Sequence, residues 1–305
     1  QRAGLPGGSG MPAVAITQDV EFIGQAIFDA LEALDLEDLF TNRLVAIKPN
    51  DTAATPLDIS GVTHADTLQA VIRFVKRFRP RHIVVSGGAG ASQTEDVFRY
   101  TGMMDVVEKE GVEFFDHNHG PFREITLESG PQRNVMINPR VLDYETVVSL
   151  AQLKLHATAT VTLSMKNIAM SFPAADYYGH PRGSGEIHRN DFFVDMQEFI
   201  PAMVRRFPPS LAVIAGHPAM VGTGPLGGIP VETGLVIASR DPVAADAAGA
   251  QLFGFDMQGA RHIFEAHRMG LGDGRVEAMT FPRMSLSDAM EAFTRLVYGR
   301  EIVMA

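Results

Sequence analysis

Two hydrophobic periods take turns along the first half of the chain. "RLVAIKP" (43–49) is a short continuous apolar run and reads as a buried strand. "HADTLQAVIRFVKRF" (64–78) places Leu68, Val71, Ile72 and Val75 at helical spacing, and Thr63 with Asp66 forms a capping-box-like start. "HIVVSGG" (82–88) is the next strand, residues 94–111 follow as one or two short helices, and "VEFFDHN" (112–118) is another strand. This βαβ rhythm predicts a parallel sheet with helices on both faces, an α/β fold.

Gly, Pro and polar residues interrupt the rhythm over 119–140, which marks a candidate boundary between two lobes of one unit spanning 11–305. Beyond it, "YETVVSLAQLK", "LAVIAG" and "GLVIASR" read as strands. "NDFFVDMQEFIPAMVRRF" is an amphipathic helix carrying Phe192, Phe193, Met196, Phe199, Ile200 and Met203. Asp241 suits an N-cap with Pro242 in the first helical position, and "SLSDAMEAFTRLVYG" forms a final helix. Residues 1–10, Gly-rich and preceding Met11, read as a cloning remnant.

Composition narrows the function classes. The chain of 305 residues has no cysteine, which excludes disulfides, thiolate metal sites, a thiolate-held iron–sulfur cluster and a cysteine nucleophile. A net charge of -10 repels phosphate backbones, so nucleic acid is not an expected partner. No apolar run is long enough to span a bilayer, and no signal-like segment follows Met11, so the expected location is the cytoplasm. A homo-oligomer stays open.

Four stretches carry candidate chemistry. In "IKPND", Pro49 holds Lys48 at a strand end, where an amine binds a carboxylate or phosphate; the competing reading is a surface lysine. "SGGAGASQTED" brings Gly87 and Gly88 between a strand and a helix, as an anion cradle or a plain turn, without dinucleotide or P-loop spacing. "DHNHG" puts His117 and His119 on one side of a strand, a metal-binding pair if a third ligand such as His156 joins, or two solvated histidines.

The fourth stretch, "LKLHATATVTLSMKN" (153–167), sets Lys154, His156 and Lys166 in an otherwise apolar context. Thr160, Thr162, Ser164 and Lys166 alternate with apolar residues, as in a strand; a helix would instead align His156, Thr160 and Asn167. Either way small hydroxyls and one lysine share a polar stripe, which suggests a lined pocket. A desolvated lysine there loses pKa and serves as nucleophile, base or covalent anchor; the bland reading is a lysine paired with a structural carboxylate. Downstream, "YYGHPRGSGEIHRND" holds His180, Arg182 and His188 in a polar loop, and "GHPAMVGTGPLGG" reads as a backbone-lined turn.

The succession "VAIKPN", "VVSGGAGASQTEDVF", "LKLHATATVTLSMKN", "GTGPLGG", "ASRDPVAADA" resembles the family catalogued as domain of unknown function 362. The resemblance implies an α/β fold and no established reaction. Two positions depart from the family pattern. No glycine follows Lys166-Asn167, and Ala215 stands where an aspartate is common, with His217 as its candidate substitute. A fainter similarity, to the nickel-pincer lactate racemases, aligns His156 and Lys166 with a histidine and a cofactor-holding lysine.

The residues together point to an enzyme, isomerase- or oxidoreductase-like, acting on a small anionic organic molecule by acid–base or hydride chemistry. Lys166 is the anchor or base, His156 the proton carrier, and Lys154 the third catalytic candidate. Lys48, Asn50, Gly87, Gly88 and Asn167 are candidates to hold the ligand or cofactor. A divalent transition metal or a lysine-linked cofactor fits this set. The alternative is a non-enzymatic ligand- or metal-binding accessory module for a redox partner.

Overall fold

The apolar runs form strands in a computed structural model that describes residues 10–182 and 195–299. In chain order they are β1 (Ala15–Gln18), β2 (Leu44–Pro49), β3 (His82–Gly87), β4 (Glu113–Asp116), β5 (Arg123–Thr126), β6 (Asn134–Ile137), β7 (Thr146–His156), β8 (Thr160–Thr162), β9 (Leu211–Val221), β10 (Ile229–Val231) and β11 (Leu235–Ser239). The main sheet runs β1-β11-β9-β7-β2-β3-β4, with β8 on β7 and β10 on β9. From β4 to β9 the strands are parallel, and β11 and β1 continue the sheet antiparallel. The first nine residues, His188, Phe192 and Phe193 lie outside the described residues.

Alternation along the strands divides the core between two faces. Val45, Ile47, Val85, Val148 and Leu150 point to one face, against helices Ile23–Glu32, Ala65–Lys76 and Met103–Glu110. Ala46, Val84, Val147 and Ala151 point to the other, against helices Ser164–Ala169, Met196–Arg206 and Pro242–Leu252. Helix Ala65–Lys76 buries Leu68, Val71, Ile72, Phe74 and Val75, each worth about 1.5–3 kcal/mol relative to exposure. This burial holds the β2–β3 crossover against the sheet. The interruption at 119–140 contains the β5–β6 hairpin, whose Ile125, Val135 and Ile137 join the second face's core.

Several local expectations change. Asp241 caps its helix as expected, accepting from the Val243 and Ala244 N–H groups. Thr63 does not cap; its Oγ1 accepts the Asn50 N–H at 2.8 Å and so fixes the turn after β2. The glycine-rich stretch after Gly216 is not merely a turn: β9 continues to Val221 and pairs back with β10. Thr160–Lys166 is neither one strand nor one helix. Strand pairing ends at Thr162 and the helix opens at Ser164, so Lys166 is helical.

Candidate functional site

The order of the strands creates a crevice. From β2 the chain steps through β3 to β4, then returns to add β7 on the other side of β2. Open α/β sheets bind ligands at such a reversal, beyond the carboxyl ends of the strands. A cavity of about 190 Å³ lies there, lined by residues following β2 and β3, by His156 at the end of β7, and by Thr162, Lys166 and Arg182. Met170, Met196, Pro181, Pro225 and Leu226 supply its apolar wall.

A buried carboxylate sets the start of helix Ser164–Ala169. Asp246, inside helix Pro242–Leu252, accepts from Ser164 N–H (2.8 Å), Ser164 Oγ (2.6 Å) and Met165 N–H (3.0 Å). These are donors that a helix leaves without internal partners. Burial pushes the Asp246 carboxyl up to about 7, against the opposing pull of the Ser164 hydrogen bond. One turn on, Asn167 donates to the Lys48 carbonyl (3.0 Å) and Ser149 Oγ (3.1 Å) and accepts from Asn50 Nδ2 (3.3 Å). Lys166 sits between these anchors, on a helix tied to both β2 and β7.

The three lysines have separate fates. Lys154 is fully buried, and its amine donates to Asn50 Oδ1 (2.9 Å) and the Gly61 carbonyl (2.6 Å). It is a structural strut behind the cavity; burial and then the Lys166 charge hold its pKa well below the usual lysine range. Lys48 lines the cavity, but its amine is spent on Asp51 Oδ1 (2.6 Å) and the Pro49 carbonyl. Burial lowers its pKa although Asp51 opposes the shift. The Lys166 amine has no hydrogen-bond or ion-pair partner among the described residues. Burial, with a further contribution from Arg182, brings its pKa down to about 7.

Two further polar groups line this cavity with capacity unspent, and a third, the Thr162 hydroxyl, is buried in its wall. His156 Nδ1 accepts from the Thr158 N–H (3.1 Å) and the Ala159 N–H (3.0 Å), so the neutral ring carries its proton on Nε2. Burial, then the positive charges of Lys166 and Lys154, lower its pKa to about 3. The neutral imidazole presents its Nε2–H as a hydrogen-bond donor. Thr162 Oγ1 is buried without a hydrogen-bond partner among the described residues. Arg182, 5% exposed, donates from Nε and Nη2 to Pro173 O, Gly88 O, Ser171 O and Asn118 Oδ1, leaving Nη1 without a protein acceptor among them. Burial lowers its pKa to about 10.

Other candidates fall to the geometry. The turn after β3 presents no amides for an anion: Gly88 N–H goes to Asp51 Oδ2 (2.7 Å), Ala89 N–H to Thr94 Oγ1, and Gly90 and Ala91 N–H to the Thr52 carbonyl. Asp51 already occupies the place an anionic ligand would take. Packing, not a ligand, demands the glycines. A Cβ on Gly87 would lie 2.5 Å from Thr94 Cγ2, and one on Gly88 1.9 Å from His117 Nε2. Gly88→Ala is therefore expected to cost roughly 1–3 kcal/mol, read as a lower denaturant midpoint; an unchanged midpoint would mean that the imidazole moves aside freely.

The His117–His119 pair does not converge on a metal. His117 is wholly buried; Nδ1 pairs with Ser86 Oγ (2.9 Å) and Nε2 with Ser171 Oγ (2.9 Å), whereas exposed His119 pairs with Asp176 (2.6 Å). β4 stops at Asp116, so the two side chains do not share a strand face. Among the described residues no group of three or more His, Asp or Glu side chains is placed to hold a metal ion. Nor does His217 replace the expected aspartate. It lies between Asp66 (2.9 Å) and Glu232 (2.7 Å), which raise its pKa to about 9, and it does not line the cavity.

Asp51 and Asp246 belong to the site without having been expected there, whereas Thr162 lay on the expected polar stripe and Arg182 in the polar loop expected to serve as a lid or binding loop. A lone acid in the otherwise apolar "PVAADAAGA" was the available signal for Asp246. The polar loop was the available signal for Arg182; that this side chain lines the cavity is decided by tertiary packing.

Fold and cavity define an α/β protein with a lysine-bearing crevice at its sheet reversal. The family profile described as "Domain of unknown function (DUF362)" matches residues 45–251, more than half of the chain, and the protein belongs to that family. It is also similar to "Thylakoid-associated protein sll1697" of Synechocystis sp., with 23% identity over 239 residues, 78% of this chain and 71% of the relative. Neither match concerns the lactate racemases, so a cofactor anchor at Lys166 rests on the aligned residues alone. Among the described residues no helix is long and apolar enough to cross a membrane.

Proposed function

We propose that this protein is an enzyme acting on a small anionic organic molecule, by proton transfer at a carbon near a carboxylate. The observation that carries the reading is the Lys166 amine, without a partner among the described residues at the wall of the cavity, while the neighbouring lysines are spent on protein acceptors. Near pH 7 a large fraction of that amine is neutral and can accept a proton from carbon. Nη1 of Arg182 suits a carboxylate. His156 Nε2–H suits the oxygen on which negative charge develops as the proton leaves. A cytoplasmic location belongs to the same reading.

Proton exchange in deuterated water, followed by mass spectrometry of a mixture of small organic acids, tests it across many candidate substrates at once. Wild-type protein is expected to deuterate one class of acid, and Lys166→Ala to slow that exchange at least about 100-fold. Binding without exchange would instead favour the accessory ligand-binding role. Exchange that persists in the variant would remove Lys166 from the chemistry.

A further inference from the structure

We propose that the cavity takes a small 2-oxo acid with an apolar side chain, and that Lys166 joins its carbonyl carbon as an imine. The inference deepens the reading of the same site, with Lys166 as covalent anchor instead of base: the exchangeable proton of such an acid lies on C3, next to the carbonyl, and the imine acidifies it. Three groups on residues lining one cavity retain bonding capacity: Lys166 Nζ, His156 Nε2 and Arg182 Nη1. A 2-oxo carboxylate offers a matching set. Its carboxylate accepts from Arg182, its carbonyl oxygen accepts from His156, and its carbonyl carbon is the electrophile for the amine.

The rest of the lining explains the preference for an apolar side chain. Met170, Met196 and Leu226 form a wall with no hydrogen bond to offer, and about 190 Å³ holds only a small molecule. The cationic balance also selects charge. Asp51 is committed to Lys48 and the Gly88 amide, so Arg182 and Lys166 face the ligand without a carboxylate of their own.

The step balances without an external oxidant or reductant. The nitrogen lone pair of neutral Lys166 attacks the carbonyl carbon, and a proton passes from nitrogen to the former carbonyl oxygen, giving a carbinolamine. That hydroxyl takes a second proton and departs as water, leaving a protonated imine. Burial favours the neutral amine that begins the sequence.

Trapping the full chain with sodium borohydride tests the imine. The probes are pyruvate, 4-methyl-2-oxopentanoate and acetone, the last lacking a carboxylate. Hydride addition fixes the acid as a secondary amine, and the intact mass rises by the mass of the acid less one oxygen. The chain has five lysines, so peptide mapping assigns the site without ambiguity. The expected result is one adduct, on Lys166. It should form with 4-methyl-2-oxopentanoate at roughly tenfold lower concentration than with pyruvate, as burial of the added methyl and methylene groups implies, and not with acetone.

Lys166→Arg, which keeps a cation but cannot form the imine, is expected to lose the adduct; its melting temperature shows whether it folds. If it does not fold, Lys166→Met provides the same comparison. No adduct, an adduct spread over Lys76, Lys109 or the chain's terminal amine, or equal trapping in a folded variant overturns the imine. Proton exchange that depends on Lys166 while no adduct forms would overturn the imine alone and leave the acid–base function standing.

Discussion

Lys166→Met is expected to raise the melting temperature at pH 6 by several degrees and to lose that advantage by about pH 10. The wild-type amine titrates at about 7 when folded, against 10.5 for an unperturbed lysine. Between those values the unfolded chain holds a proton that the folded chain lacks, so stability rises with pH across the window. Below it both states are protonated and the full cost of burying the charge is present. One pKa unit corresponds to about 1.36 kcal/mol, so the cost is roughly 3–5 kcal/mol at pH 6.

Methionine keeps the bulk and removes that cost, at the sacrifice of the site's nucleophile. Calorimetry of both proteins from pH 6 to 10 checks this. A variant less stable than wild type at pH 6 would show that the amine has a stabilising partner and would undercut every role given to it above.

Asp246→Ala is expected to be the most damaging single change near the site. It strands two backbone N–H groups and the Ser164 hydroxyl at the start of helix Ser164–Ala169, in a fully buried setting. Each stranded group costs about 1–3 kcal/mol, so a loss of roughly 3–9 kcal/mol follows for the three, read from urea unfolding at pH 5. The wild-type carboxyl has its own pH signature. Its folded pKa of about 7 exceeds the unperturbed 3.8, so the folded state keeps a proton that the unfolded state releases between them. This contribution is fully present below about 3.8 and is lost as pH rises through 7. The alanine variant should lack that slope. A loss under about 0.5 kcal/mol would mean that water replaces the carboxylate at no cost.

These expectations separate what could be read along the chain from what could not. The strands 44–49 and 82–87 and the helix Ala65–Lys76 follow from periodicity, because burying one face of a local element depends on spacing that the sequence displays directly. Lys166 and His156 were legible as anomalies, polar groups amid apolar ones. Their roles were not. Three buried lysines look alike in sequence, yet Asn50 and Gly61 neutralise the reactivity of one, Asp51 that of another, and only the third keeps its amine uncommitted. Asn50 and Gly61 lie far from Lys154 along the chain and no local pattern encodes that pairing, whereas Asp51 is only three residues from Lys48. The glycines of "SGGAG" misled for a related reason: a turn that packs against His117 and a turn that cradles an anion require the same absent side chain.

By itself, then, the sequence determined the α/β class, the main crossovers and the short roll of unusual buried cations, since all three rest on local pattern and composition. Tertiary structure alone decided that β7 returns beside β2, that Arg182 and Thr162 meet Lys166 across the resulting crevice, and that Asp51 fills the place of an anion. The physical reason is that hydrogen-bond capacity and burial belong to sites in space. A side chain's chemistry is set by whichever distant groups desolvate it or satisfy it, and only the folded chain assembles them.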